Sequence, residues 1–222
     1  MTQRIALRQA TNVISFNGSS DYATIPITPT GAGWSFAFWI FIPTFNSSFG
    51  RVFSYADGSS NGIRSILNTN ASRFVTFDSG NGSFLSSNGK AGGIIPGEWT
   101  HLVYTYNGTN GANYINGVLQ TSTAQNFTVP TGQTFTIGRA STGATSFGKF
   151  LMKDFVYKPG TPFTETEITN LYYNGTVPSG VTCNISFNGT ATDSSGNGND
   201  ATLNGTSYVT SLPSFAKART SV

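Results

Sequence analysis

The chain has 222 residues, of which 9% are charged and 14% are aromatic, and its formal net charge is +3. Few charges combined with many aromatic side chains are the reverse of a disordered composition, so we expect a folded chain with a large core. No internal basic run is interleaved with aromatic residues, which argues against nucleic-acid binding. No apolar run approaches the roughly 18 residues of a membrane span.

The start of the chain and its cysteine content bear on where it is made. The opening segment, MTQRIALRQATN, has none of the apolar character of an export signal. Cys183 is the single cysteine, so no intrachain disulfide can form, and its place in a strand pattern predicts a small buried apolar residue. We therefore expect synthesis in the cytosol.

Alternation of apolar and polar residues, not helical spacing, dominates the chain. In the segment WSFAFWIFI, one face receives only large apolar residues, and the other begins with Ser35 and Ala37 and ends with Trp39 and Phe41. This strand is expected to be buried on one side throughout and on both sides near its end. The segment EWTHLVYTYN repeats the alternation. Shorter strand candidates are Val13–Phe16, Tyr22–Ile27, Arg51–Tyr55, Gly62–Leu67, Arg73–Asp78, Ala112–Val118, Thr134–Gly138, Lys149–Tyr157 and Cys183–Phe187.

Local signals mark one hairpin and one helix. Asn116-Gly117, within YINGVL, is typical of a two-residue hairpin turn because both residues tolerate positive φ. Thr164 and Glu167 form the pattern of a capping box, and apolar residues follow at helical spacing. Asn174-Gly175 then ends the helix. We predict a short surface helix with one apolar stripe.

Several segments together resemble a known family. The string PGEWTHLVYTYNGTNGANYINGVLQ resembles the centre of laminin-G-like and pentraxin-like jelly rolls, and VISFNGSSDYATIP is similar to the opening of the same domains. FTIGRA and GKFLMKDFVYKPGTPFTETEITNLYYNG are similar to their later segments. The resemblance runs from Val13 to about Gly175, within the concanavalin A-like lectin/glucanase superfamily. CNISFNGTATDSSGNGNDATLNG resembles the family's first strand and loop, but here it follows the domain.

The resemblance and the strand pattern give one fold prediction. We expect an all-β, two-sheet antiparallel jelly-roll sandwich with one short surface helix. Residues 1–12 form an N-terminal arm, 13–210 the laminin-G-like domain, and 211–222 a C-terminal tail. The segment after the helix is expected to supply a closing strand and a Gly/Asn-rich loop.

Calcium is the metal that this sequence could bind. Asp193 and Asp200 enclose the loop DSSGNGND, and Asp21 in FNGSSDY could supply a further oxygen ligand. The alternative is that Asp193 merely initiates an Asx-turn, which the following Ser-Ser-Gly favours. No cofactor is expected to be required.

Catalysis is not expected. Glycosidases need two carboxylates facing one bond, and the pair Glu165/Glu167 belongs to the predicted capping box. His101 is the sole histidine, and no nucleophile-elbow motif accompanies it. We read His101 as a packed residue of a core strand.

The resulting functional hypothesis is a non-catalytic structural or adhesion protein. We expect a phage virion surface component (a decoration, fibre or tail protein) whose jelly roll binds glycans, with a stand-alone carbohydrate-binding module, secreted or extracellular, as the alternative. A glycan-degrading enzyme ranks last. The terminal arms are expected to contact other virion subunits in an oligomer, or alternatively to fold back as edge strands. Which aromatic residues would bind a glycan is not evident from the sequence.

Overall fold

The computed structural model describes residues 11–44, 49–57, 61–67, 75–78, 84–86, 94–125 and 128–211. Within these ranges the chain forms fifteen strands and one helix. In chain order they are β1 (Thr11–Asn17), β2 (Tyr22–Ile25), β3 (Trp34–Phe41), β4 (Arg51–Ala56), β5 (Gly62–Leu67), β6 (Val75–Asp78), β7 (Phe84–Ser86), β8 (Trp99–Tyr106), β9 (Asn110–Ile115), β10 (Val118–Ala124), β11 (Phe135–Ile137), β12 (Lys149–Pro159), α1 (Glu165–Asn174), β13 (Cys183–Ile185), β14 (Thr202–Asn204) and β15 (Ser207–Ser211).

The strands form two sheets. Sheet A has the order β10-β9-β8-β3-β12-β1-β15, and β13 pairs with β12 on the same side as β1. Sheet B has the order β14-β2-β11-β4-β5-β6-β7. The pairs along both sheets are antiparallel. The predicted all-β two-sheet sandwich with one short helix is therefore confirmed.

The core lies between the sheets and is mainly aromatic. Phe36 of sheet A lies with its ring centroid 5.0 Å from that of Phe53 and 5.4 Å from that of Phe135, both in sheet B. The same ring lies 4.9 Å from Tyr157 of the neighbouring strand β12. These side chains are fully buried. Full burial of one such ring contributes about 1.5–3 kcal/mol, so this cluster fixes the two sheets against each other.

The predicted helix forms, and both of its ends are as the sequence indicated. The Thr164 hydroxyl accepts from the Glu167 amide at 3.2 Å, and the Glu167 carboxylate accepts from the Thr164 amide at 2.7 Å. The helix ends at Gly175, which has the left-handed φ of 66° that glycine favours. Within the described part of the chain, no helix is long and apolar enough to cross a membrane.

Helix α1 lies on the outer face of sheet A, the face turned away from sheet B. Its buried residues Ile168 and Leu171 pack in one cluster with Ala37, Val103 and Val156, which face outward from β3, β8 and β12. This second, smaller core covers only part of the outer face.

The burial of β3 differs from the sequence-based expectation. The end of the strand was expected to be buried on both sides, yet Trp39 and Phe41 are half-buried while Ser35 and Ala37 are fully buried. The reason is the position of α1, which covers the beginning of the strand. Ser35 is satisfied there because its hydroxyl accepts from the Phe163 amide at 2.8 Å.

The predicted hairpin is present between β9 and β10. Asn116 and Gly117 have φ values of 50° and 79°, as a turn with two left-handed residues requires. The strand predicted over Ala112–Val118 is accordingly divided by this turn, and Val118 begins β10.

The C-terminal segment contributes to both sheets, which is more than the single closing strand that was expected. β13 pairs with β12, β14 extends sheet B, and β15 pairs with β1 up to the partners Thr11 and Ser211. The remainder of the predicted arm and tail, residues 1–10 and 212–222, lies outside the described residues.

We predict that Gly33→Ala destabilises the domain by about 2–3 kcal/mol. Gly33 has φ +142°, and an added Cβ would overlap the carbonyl oxygen of Gly160 and lie 2.9 Å from that of Tyr106. Urea unfolding measures the change. Gly31→Ala is the matched control, because a Cβ at Gly31 meets nothing within 4 Å. Equal stability of the two variants would contradict this account of the turn.

Candidate functional site

The Asp193 carboxylate, predicted to bind calcium, is surrounded by protein donors. It accepts hydrogen bonds from the backbone amides of Asn184 at 2.8 Å, Ser195 at 2.9 Å and Asn199 at 3.0 Å, and from the Ser195 hydroxyl at 2.8 Å. Burial alone would raise the pKa of Asp193, but these hydrogen bonds outweigh it and hold the pKa below its ordinary value of 3.8. The carboxylate therefore organises its own loop.

The other two predicted ligands have different partners. Asp200 accepts from the Asp193 amide at 2.7 Å, so these two residues lie together. Asp21 accepts from the Asn17 amide at 3.0 Å, and its other oxygen would lie 2.8 Å from a Cβ placed on Gly205. Among the described residues, no three acidic, histidine or cysteine side chains form a group that could hold a metal ion. The hydrogen bonds favour the Asx-turn alternative for Asp193, and calcium binding stays a prediction.

The residues considered for catalysis have structural partners. Glu167 caps the helix and pairs with Lys158, whose Nζ lies 3.2 Å from its carboxylate. Burial, with a smaller contribution from Lys153, lowers the pKa of His101 from 6.5 to about 3, so its imidazole is neutral near pH 7. A general base needs a pKa near the working pH and access to substrate, and His101 is only 2% exposed.

A row of aromatic side chains lies on the outer face of sheet A at the C-terminal end of α1, and the last two of its members belong to the helix itself. We call it the aromatic row, and it consists of Trp39, Phe41, Trp99, Tyr172 and Tyr173. The Trp39 and Tyr172 rings stack with centroids 5.6 Å apart, and the Phe41 and Trp99 rings lie 5.7 Å apart. Tyr173, at the end of the row, is 67% exposed and meets Tyr172 edge to face at 4.7 Å.

Strand register explains why these rings are neighbours. Trp39 is paired with His101 on β8 and with Lys153 on β12, and Phe41 is paired with Trp99 and Leu151. Directly paired residues point to the same side of a sheet. Because Phe38 and Ile40 face the core, the alternating residues between and after them must face outward.

Lys153 connects the two tryptophans of the row. Its Nζ lies 5.5 Å from the Trp39 ring centroid and 5.4 Å from that of Trp99, within the range of a cation–π interaction. The lysine side chain is 20% exposed, and the Asp154 carboxylate lies 3.9 Å from its Nζ. Each such contact is worth about 0.5–1 kcal/mol at an exposed site, so Lys153 helps to fix both indoles in place.

Trp39, Phe41 and Tyr172 thus offer partly exposed, fixed ring faces beside a cationic group, while Trp99 is buried. Rigid aromatic surfaces of this kind bind ligands that have an apolar face and a polar rim, at small entropic cost. Sequence reasoning noted the abundant aromatic residues but could not say which were exposed. Two features of the sequence could have indicated the exposed rings. The alternation in β3 places Trp39 and Phe41 on the outer face, and the apolar stripe of α1 is too short to cover that whole face.

The double-layered sandwich, with one helix on the outer face of one sheet, is that of the lectin-like β-sandwich class. The family model described as the concanavalin A-like lectin/glucanases superfamily, a laminin G model, matches residues 17–168, more than half of the chain. The chain belongs to this family. No curated protein matches the chain in sequence.

Solved structures share the fold at low sequence identity. The chain is similar to a heptameric SAP-like pentraxin from Limulus polyphemus, with TM-score 0.66, 16% identity, and coverage of 93% of this chain and 98% of that chain. It is similar to a putative carbohydrate binding protein from Bacteroides ovatus, with TM-score 0.65, 14% identity and 90% of this chain covered, and it spans 60% of that protein.

A third similar structure is domain 4 of an extracellular arabinanase from Geobacillus stearothermophilus, in complex with arabinotriose. Its TM-score is 0.50 at 22% identity, with coverage of 72% of this chain and 76% of that chain. At these identities the likeness establishes the fold.

If the Asx-turn alternative holds, a chelator is expected to leave the melting temperature unchanged, because four protein donors already surround the Asp193 carboxylate. Differential scanning calorimetry with and without chelator, followed by added calcium, measures this. A melting temperature that falls on chelation and recovers with calcium in the wild type, but not in Asp200→Asn, would instead support the predicted calcium site.

Proposed function

We propose that this protein is a non-catalytic glycan-binding module whose binding surface is the aromatic row on the outer face of sheet A. The observation that carries the proposal is that the rings of Trp39, Phe41 and Tyr172 are fixed by contacts with neighbouring rings yet remain partly open to solvent. Pyranose and furanose rings present an apolar C–H face, which packs against flat aromatic surfaces, and hydroxyl groups, which need polar partners at the rim.

The surface is held in one conformation before any ligand arrives. Tyr172 is fixed from below by Trp39 and from the side by the hairpin turn, where a Cβ at Gly117 would lie 3.2 Å from its ring. Lys153 holds both indoles. Preorganised side chains lose little conformational entropy on binding, which favours affinity from a small contact area.

The family context supports this choice. The Bacteroides structure is described as a putative carbohydrate binding protein, and the arabinanase domain was solved with arabinotriose. Those descriptions apply to those proteins, and the fold alone hosts several functions. The aromatic row is what makes glycan binding the preferred function for this chain.

The absence of catalysis is part of the proposal. Of the Glu165/Glu167 pair, Glu167 caps α1 and is bound to the Thr164 amide and to Lys158, while Glu165 lies in the first turn of the helix. The neutral, buried His101 is poorly suited to proton transfer near pH 7. Both observations support a module that binds without cleaving.

We further propose that the module is displayed on a virion surface, with residues 1–10 and 212–222 contacting neighbouring subunits. Two observations support this setting. The fraction of charged residues is low, and the single cysteine is buried and free, so the domain forms without an intrachain disulfide. β15, which leads into the C-terminal stretch, is the terminal strand in the described order of sheet A. A secreted or extracellular stand-alone module is the alternative.

We predict that Trp39→Ala weakens glycan binding at least tenfold, because it removes the central ring of the row. A glycan array identifies the ligand, and isothermal titration calorimetry measures the affinity. Phe49→Ala is the matched control, since Phe49 is 63% exposed and precedes β4 of sheet B. Phe41→Ser, at the half-buried end of β3, provides a second variant should Trp39→Ala fail to fold.

Unchanged affinity in both row variants would overturn the proposed surface.

When the protein is incubated with the glycans that it binds, we expect no new reducing ends. Their reproducible release, lost in Glu165→Gln, would overturn the non-catalytic assignment.

We predict that the full chain forms an oligomer and that a chain lacking residues 1–10 and 212–222 is monomeric. Size-exclusion chromatography with light scattering measures both. A monodisperse monomer for both chains would reject assembly through the arms, and the stand-alone module would become the preferred setting.

A further inference from the structure

Strand β12 carries lysines on its outward face beside the aromatic row. Phe150 and Met152 face the core, so Lys149, Leu151 and Lys153 face outward. Lys149 is exposed and Lys153 is partly exposed. At about 3.3 Å per residue the two lysines are roughly 13 Å apart along the strand, a span that suits a chain of several sugar units rather than one.

A third lysine on this strand is already paired. Lys158 lies 3.2 Å from the Glu167 carboxylate, beside α1, and its side chain is 13% exposed. It therefore serves the helix, whereas Lys149 and Lys153 lie on the part of the sheet that α1 leaves open.

Three other titratable groups lie near the two lysines, and two of them are acidic. His101, which faces Trp39, is neutral at pH 7 and adds no positive charge. Asp154 lies 3.9 Å from Lys153 at the strand's bulge, with its side chain 51% exposed. Glu98 is exposed and precedes Trp99 at the start of β8. Only the Lys153 ammonium lies within 6 Å of both indole rings among the described contacts.

We infer that the aromatic row binds an anionic polysaccharide, whose sugar rings pack on the partly exposed Trp39 and Phe41 while a carboxylate or sulfate group pairs with the Lys153 ammonium. This inference rests on the proposed glycan binding and specifies its ligand class. The aromatic rings alone would bind a neutral sugar. An acidic group on a sugar that packs on these rings would in addition lie close to the Lys153 ammonium, which the two indoles already hold in place. Lys149 provides a second cation for an acid farther along the same chain.

The test uses backbone-matched polysaccharides that differ in charge. Carboxymethyl-cellulose is compared with hydroxyethyl-cellulose, polygalacturonate with its methyl ester, and chondroitin sulfate with chondroitin. We expect the more anionic member of at least one pair to bind at least tenfold more tightly at low salt. That preference should be lost near 1 M salt, where the Debye length is about 3 Å. The first two pairs report on carboxylate and the third on sulfate.

Three variants locate the charge effect. Lys153→Met keeps the aliphatic stem and should weaken binding of the anionic member about tenfold, the scale of one hydrogen bond to a charged group. Asp154→Asn should strengthen it, and the fold tolerates this change because Asp154 has φ 53°, where asparagine is favoured. Lys158→Met removes the same charge from the same strand face and should leave binding unchanged.

The outcomes separate the two proposals. Equal binding of both members of every pair, unaffected by salt and by Lys153→Met, would overturn the anionic class while leaving glycan binding intact. Loss of the charge preference in Lys158→Met but not in Lys153→Met would place the ligand elsewhere. Binding by no member of any pair, together with an empty glycan array, would overturn the proposed function itself.

Discussion

The packing of α1 on the outer face of sheet A determines which part of that sheet can meet a ligand. Ile168 and Leu171 bury themselves on Ala37, Val103 and Val156, and the capping box at Thr164 fixes where the helix begins. Because α1 has ten residues, its length is about 15 Å, so its apolar stripe cannot cover the sheet from end to end. The half-buried rings of the aromatic row lie where that cover ends.

The bulge in β12 makes this arrangement possible on a single strand. Lys153 and Val156 are three residues apart, and regular alternation would place them on opposite faces. The pairing register with β3 shifts between these two residues, and Asp154 adopts φ 53° within the shift. As a result Lys153 faces the aromatic row, Val156 faces the helix, and Phe155 still reaches the core. The one extra residue of the bulge thus allows a single strand to place side chains against the aromatic row, the helix and the core.

Features that depend on neighbouring residues could be predicted from the sequence. The Thr164–Glu167 capping box and the Asn116-Gly117 turn are local hydrogen-bond and φ requirements, and both occur as expected. The sandwich followed from alternation and from family resemblance. The exposure of Trp39 could not be predicted, because it depends on where a helix more than 120 residues later comes to lie. The roles of β14 and β15 were missed for the same reason, since their partners are far away in the chain.

If the part of the outer face of sheet A that α1 leaves open is the ligand surface, the three tryptophans together can report on it. Trp39 and Trp99 belong to the aromatic row, whereas Trp34 is fully buried between the sheets and serves as an internal control. Titration of the ¹⁵N-labelled protein with the best-binding glycan, followed through the three indole N–H signals, should shift those of Trp39 and Trp99 and leave that of Trp34 in place. Saturable binding that leaves the Trp39 and Trp99 signals unmoved would contradict the account.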